Sequence, residues 1–224
     1  MKKLVHSNYG ICLELEENKV NEIVVENPVM LTQIVRELGE QCEGNEGGFV
    51  LSEENRILPV EKFLILIKDL FSLDCNNRKI LTRLYQKIGK TMDQISEEER
   101  RLFYRGYIGY MESICEKSSL YLLYDEEPGI QEVLKMAGLR LDVQTDTMLE
   151  CIVEYLKIVH ELLGQTVFVF LNLKLFLTKE ELKRLYQECF YRKIQLILIE
   201  AVYQEKSEEE NVCVIDKDRC IIYL

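Results

Sequence analysis

The chain has 224 residues, 47% of them hydrophobic, which suffices for one large domain or for one domain carrying an insertion. Its formal net charge of −11 argues against a uniformly basic nucleic-acid binder, so an anionic partner would have to meet a local basic surface. No segment approaches the ~18 apolar residues of a membrane helix, and Met1-Lys-Lys-Leu-Val5 runs directly into polar His6-Ser-Asn8 without a signal-peptide core, so a cytoplasmic protein is expected.

In chain order, Gly10–Leu15 and Glu22–Val25 read as two strands. Asn27 then caps a helix with Pro28 in its first turn and Val29, Leu31, Ile34, Val35 and Leu38 at apolar positions. Gly44-Asn-Glu-Gly-Gly48 is a turn or mobile loop, Phe49–Leu51 a further strand, and Leu58-Pro-Val60 a boundary. From Lys62 to Lys117 the texture becomes amphipathic helix, with segments 60–72, 76–92 and 96–117 separated by Asp74-Cys-Asn-Asn77 and the cap Ser96-Glu-Glu-Glu99. A shorter helix spans Gly129–Ala137. Leu139–Val143 alternates as a strand, and Thr147–Leu163 is helical to Gly164, with Asp146 or Thr145 as its cap. Further strands are expected at 166–171, 195–200 and 211–215, with Asp216-Lys-Asp218 turning into a last one at 220–223.

The most regular stretch is Thr166–Glu200. Thr166-Val-Phe-Val-Phe-Leu171 and Gln195-Leu-Ile-Leu-Ile-Glu200 are unbroken apolar runs, suited to strands buried on both faces. Between them Thr178 and Glu181 form a capping box ahead of Leu182, Leu185, Cys189 and Phe190. Strand–helix–strand makes a parallel pair, and such sheets hold nucleotides at their carboxyl ends. Yet neither G-x-x-x-x-G-K-[ST] nor G-x-G-x-x-G between a strand and a helix is present, and the one glycine cluster carries a glutamate that would repel phosphate. The expectation is an α/β core without ATP chemistry, with Asn172 and Glu200 at strand ends as structural residues.

Eight cysteines lie scattered without a C-x-x-C and are expected to be reduced structural thiols. With only His6 and His160 available, a histidine-based triad or metal site is disfavoured, and His160 reads as capping the last carbonyls of its helix. Charge is unevenly distributed. No acid occurs between Asn76 and Thr91, where Arg78, Lys79, Arg83, Lys87 and Lys90 fall together. Lys79, Arg83, Lys87 and Lys90 share one helical face, while Ile80, Leu84 and Ile88 occupy another with Tyr85 between. Like charges at that spacing oppose one another on an isolated helix, and an anionic partner relieves the repulsion. Acids concentrate instead at Glu97–Glu99, Asp125–Glu127 and Glu208–Glu210.

Gly138-Leu-Arg-Leu-Asp-Val-Gln-Thr-Asp-Thr147, Val167–Asn172, Phe176–Glu181 and Leu196–Glu200, in that order, resemble the ring-forming DNA-binding accessory protein of type II-A CRISPR systems, the Csn-two family. Phe71-Ser-Leu-Asp74, followed by Asn76-Asn77 and an apolar helix, looks like the same family's middle region. The resemblance implies a P-loop-ATPase-like α/β head lacking the phosphate loop, residues 1–58 with 138–224, and an inserted α-helical domain, 59–137. It further implies a non-catalytic homotetrameric ring that threads linear double-stranded DNA from its ends without reading sequence. Such a ring acts in spacer acquisition beside the CRISPR integrase and effector nuclease.

The basic stripe suits the lining of such a ring, since duplex binding of this kind rests on phosphate neutralisation. Arg140, Lys174, Lys183, Arg184, Arg192 and Lys193 are further candidates. The resemblance also implies calcium held by acids near the domain junction. Ahead of Asp125 the family tends to be acid-rich, whereas Ser118–Tyr124 is uncharged here, so a calcium site would draw on Glu116, Asp125, Glu126, Glu127 and Asp142. The acids at 125–127 equally suit the start of the following helix. Two other readings are an atypical nucleotide hydrolase, using Glu200 and the 125–127 acids with a divalent metal, and a scaffold whose basic helix docks an acidic partner.

Overall fold

The computed structural model describes residues 1–54, 56–91 and 96–224. They form β1 (Lys2–His6), β2 (Ile11–Leu15), β3 (Val20–Val25), α1 (Pro28–Cys42), β4 (Val50–Glu53), β5 (Arg56–Leu58), α2 (Val60–Phe63) and β6 (Leu64–Ile67). These are followed by α3 (Arg78–Thr91), α4 (Glu97–Lys117), α5 (Ile130–Met136), α6 (Met148–Leu163), β7 (Val167–Leu171), α7 (Lys179–Tyr191), β8 (Gln195–Glu200), β9 (Glu210–Ile215) and β10 (Ile221–Tyr223). The chain divides into two compact units, residues 1–75 with 143–224 and residues 76–142.

The first unit is α/β. Its larger sheet has the order β10-β9-β3-β8-β7-β6, parallel except for the hairpin strand β10, and a four-stranded antiparallel sheet has the order β2-β1-β4-β5. Register decides which residues share a face. Ile23, Val25, Ile197, Ile199, Cys213 and Ile215 point into the main core with Ile34 and Leu38 of α1 and Leu4, Leu13 and Leu51 of the small sheet. On the opposite face the pairings Glu22↔Leu198, Val24↔Glu200 and Val20↔Glu210 align three carboxylates with the apolar cluster Val24, Val212 and Val214.

Most local expectations follow the chain's capping chemistry. Asn27 Oδ1 accepts from the amides of Val29 and Met30 at 3.1 Å, and Pro28 sits where a helix amide has no partner to lose. Ser96 and Thr178 close capping boxes with Glu99 and Glu181. Asp216 Oδ1 accepts from the amides of Asp218 and Cys220, closing the β9–β10 turn. The glycine segment is pinned. Glu37 takes the Gly48 amide at 2.7 Å, and the buried Gln41 side chain bonds both backbone groups of Phe49. All eight cysteines are free thiols.

Other expectations need correction. Segment 60–72 is not one helix: after the four residues of α2 the run Leu64–Ile67 pairs in parallel with Val167–Phe170. A short apolar run fits either element, and an open sheet edge beside β7 decides for strand. Residues 59–75, read in sequence as the start of the helical insertion, therefore belong to the first unit. Leu139–Val143 is no strand, because its backbone partners are side chains. Asn76 donates to the Leu141 carbonyl at 3.1 Å and accepts its amide at 2.8 Å, and Tyr85 Oη donates to the Leu139 carbonyl at 2.7 Å. The cap of α6 is Thr147, whose hydroxyl and Glu150 partner satisfy a full capping box that neither Asp146 nor Thr145 could register. His160 does not cap its own helix; Nδ1 meets the Gln165 carbonyl at 2.8 Å, beyond the left-handed Gly164. Strand β1 is unforeseen, although it pairs with both β2 and β4. Met92, at the end of the expected helix 76–92, lies outside the described residues.

The second unit is helical. The Ile80 side of α3 is buried, α3 packs on α5, and Tyr104 of α4 donates to the Pro128 carbonyl at 2.9 Å.

Candidate nucleic-acid interface and a buried charge cluster

The carboxyl ends of parallel strands are where a nucleotide-binding sheet takes its ligand, with phosphate on the following helix's amides. Here β3 joins α1 through Glu26 and Asn27 alone, too short a link to wrap a phosphate. Asn27 already occupies the first free amides of α1, and its Nδ2 donates to the Lys217 carbonyl at 3.2 Å. At the end of β7, Asn172 adopts a left-handed conformation. Its amide donates to the Ile199 carbonyl at 2.8 Å, and its Oδ1 accepts from the Ala201 amide at 3.0 Å. Asn172 thus ties two strand ends together.

Below α7 lies a cluster that sequence reasoning reaches only through Lys174 and Glu200. Lys174 follows β7 in a 3-10 turn and is buried; its Nζ donates to Glu22 Oε2 at 2.7 Å and to Glu210 Oε2 at 2.9 Å. Burial opposes the ammonium, but these two ion pairs outweigh it and hold Lys174 above its ordinary pKa. Tyr186 of α7 donates to Glu210 Oε1 at 2.6 Å; burial and then the Glu210 charge push its phenol far up. Glu200 accepts the Lys174 amide at 3.1 Å and is pushed up to about 7, chiefly by burial and further by the nearby Glu22 charge. A glutamate within a strand as apolar as Asn21–Val25 is the one sequence signal for Glu22.

The second unit carries the basic stripe. Arg78, Lys79, Arg83, Lys87 and Lys90 are all exposed on α3, while Ile80 and Tyr85 turn inward. Amphipathicity explains the split. Apolar residues seek α5 and the 139–141 segment, which leaves the cations to solvent. Arg140 is also exposed. In the first unit Lys183, Arg184 and Lys193 are exposed, and Arg192 is half-buried beside Glu188 at 3.5 Å. Lys174 is the exception: enclosed by Glu22 and Glu210, it presents no charge to a phosphate.

The acids proposed for calcium do not assemble. Glu116, Asp125, Glu126, Glu127 and Asp142 are all exposed, and Asp125 Oδ1 is used by the Glu127 amide at 3.1 Å. Among the described residues no group of three or more His, Cys, Asp or Glu could hold a metal ion, the buried Glu22–Glu200–Glu210 set included. These residues do not fit a calcium site.

The family model for CRISPR-associated protein (Cas_Csn2) matches residues 41–219. A curated protein from Streptococcus agalactiae named CRISPR-associated protein Csn2 is 29% identical over 166 residues, covering 71% of this chain and 71% of that one. Among solved structures, CbiO1 of Clostridium perfringens, part of an ABC transporter complex, covers 96% of this chain and 80% of its own, at TM-score 0.48 and 12% identity. An ATP-binding cassette of an ABC transporter in its ADP conformation covers 91% of this chain and 82% of its own, at TM-score 0.43 and 10% identity. Both structural likenesses are distant. A match of the family model across most of the chain, together with the curated relative, makes this protein a member of the Csn2 family of CRISPR-associated proteins.

Proposed function

We propose that this CRISPR-associated protein binds double-stranded DNA without catalysis, as a homotetrameric ring that threads linear DNA from its ends during spacer acquisition. The reading rests above all on the acid-free, exposed basic face of α3, five cations within one helix of a chain with net charge −11. Such a face binds phosphates by displacing their counterions and carries no sequence information. A two-residue link in place of a phosphate loop supports the absence of nucleotide chemistry. Assembly is supported by the second unit's surface. Helix α4 has no buried residue, and Leu102, Tyr110, Leu120, Tyr121 and Leu123 are largely exposed, an apolar surface suited to burial against another copy. Docking of the system's integrase and effector nuclease, and action in the cytoplasm, belong to the same proposal; among the described residues no helix is long and apolar enough to cross a membrane.

Competition between linear and closed circular duplexes of one sequence tests it. A threading ring binds the linear form at least about tenfold more tightly, with affinity falling steeply as salt rises. Equal affinity for both forms would exclude threading. ATP turnover lost in Glu200→Gln would favour a hydrolase instead.

A further inference from the structure

The sheet face under α7 buries more negative charge than its ammonium neutralises. Glu22, Glu200 and Glu210 are each at most 4% exposed, and Lys174 is the cation bonded to two of them. With every carboxylate ionised, three negative charges would face one positive charge away from water, a state folding strongly disfavours. The three acids are not equivalent. Glu210 is saturated with donors: Lys174 Nζ at 2.9 Å, Tyr186 Oη at 2.6 Å and the Ser207 amide at 2.8 Å. Glu22 has one donor, Lys174, and its Oε1 is buried without a hydrogen-bond partner. Glu200 is its diagonal neighbour on the adjacent strand and the same face, since Glu22 pairs with Leu198 and Val24 with Glu200. A proton on one of these two carboxyls removes one negative charge and supplies a donor where one is missing.

We propose that the Glu22–Glu200 carboxyl pair holds a proton in mild acid and releases it as pH rises through neutrality, serving as a pH-sensitive latch that fastens the turn after β7 to β3, β8 and β9. The groups facing the pair are Lys174 from that turn, Glu210 from β9 and Tyr186 from α7. Both carboxyls are displaced upward, chiefly by burial: Glu200 to about 7 with Glu22 as the next cause that raises it, and Glu22 with Glu210 adding to the rise against the pull of Lys174. Lys174, Tyr186 and Glu210, the groups facing the pair, line a cavity of about 540 Å³. An ordinary glutamate near 4.5 in the unfolded chain binds that proton more weakly than the folded pair does. The pair's contribution to stability is therefore largest in acid and declines as pH rises between these values, levelling off above the folded one. Deprotonation sets two like charges side by side and loosens the latch.

Thermal unfolding followed from about pH 5.5 to about pH 8.5 tests this in the wild type, Glu200→Gln, Glu22→Gln and the exposed control Glu205→Gln. Glutamine at 200 imitates the protonated acid, keeping an oxygen for the Lys174 amide and offering an N–H toward Glu22. The wild-type midpoint should fall by several degrees across the range, in parallel with the Glu205→Gln control. At least one of Glu200→Gln and Glu22→Gln should lose most of the fall. Profiles parallel to the wild type in both variants overturn the proposal. Carbon-13 NMR of the glutamate carboxyls in the wild-type protein gives a second readout that needs no variant to fold. A carboxyl of Glu22 or Glu200 titrating above about pH 6 is expected, and both titrating below about pH 5 overturns it.

Discussion

Lys174 shows how far a residue's type can mislead about its place. In sequence it is a cation in Leu173-Lys-Leu175, among other basic residues that could meet DNA. Folding instead buries it between Glu22 and Glu210, 152 and 36 positions away along the chain. No local pattern encodes pairs so distant, which is why neither the pairing nor Tyr186 was legible. Glu200 was legible as a strand-end acid, but not its company. Removing one partner of a buried ion pair leaves the others uncompensated, so Lys174→Met should destabilise the protein by about 3–5 kcal/mol in urea unfolding. A loss below about 1 kcal/mol would mean that the carboxylates find other donors. Lys79, Arg83 and Lys87 lie at the other extreme, because a 3.6-residue period fixes their face without any tertiary information.

At the scale of elements, legibility followed how much of the determining chemistry is local. Helices opened by a side-chain cap could be placed from sequence, as at Asn27, Ser96 and Thr178, because donor and acceptor lie within three residues. Strands on both sides of α7 were equally plain from their unbroken apolar runs. Failures came where a partner elsewhere decides. Leu64–Ile67 is a strand because β7 offers it an edge, and Leu139–Asp142 is not one because Asn76 and Tyr85 take its backbone groups first. Leu64 is wholly buried in the main core, so Leu64→Ala should cost about 2–5 kcal/mol by chemical denaturation. A near-neutral result would place this segment outside the core.

For the whole molecule, an acidic chain of the Csn2 family carries an acid-free basic face on one helix of the second unit, while the first unit keeps a parallel sheet in which Asn27 takes the helix amides that would meet a phosphate. Fold class and the division of labour between sheet and helices were legible from the alternation of apolar runs and amphipathic segments. Candidate acids for calcium came from resemblance alone, and among the described residues no group of three or more His, Cys, Asp or Glu could hold a metal ion. In the proposed function α3 meets the phosphates of duplex DNA. Affinity for a short linear duplex, measured across a salt series for the wild type and for Lys79→Glu/Arg83→Glu/Lys87→Glu, tests it most directly. Wild-type binding should weaken steeply with salt, and the variant should bind at least about tenfold more weakly, with a logarithmic salt slope shallower by about three for each protomer whose stripe meets the duplex. Equal affinity and equal slope in the two proteins would contradict it.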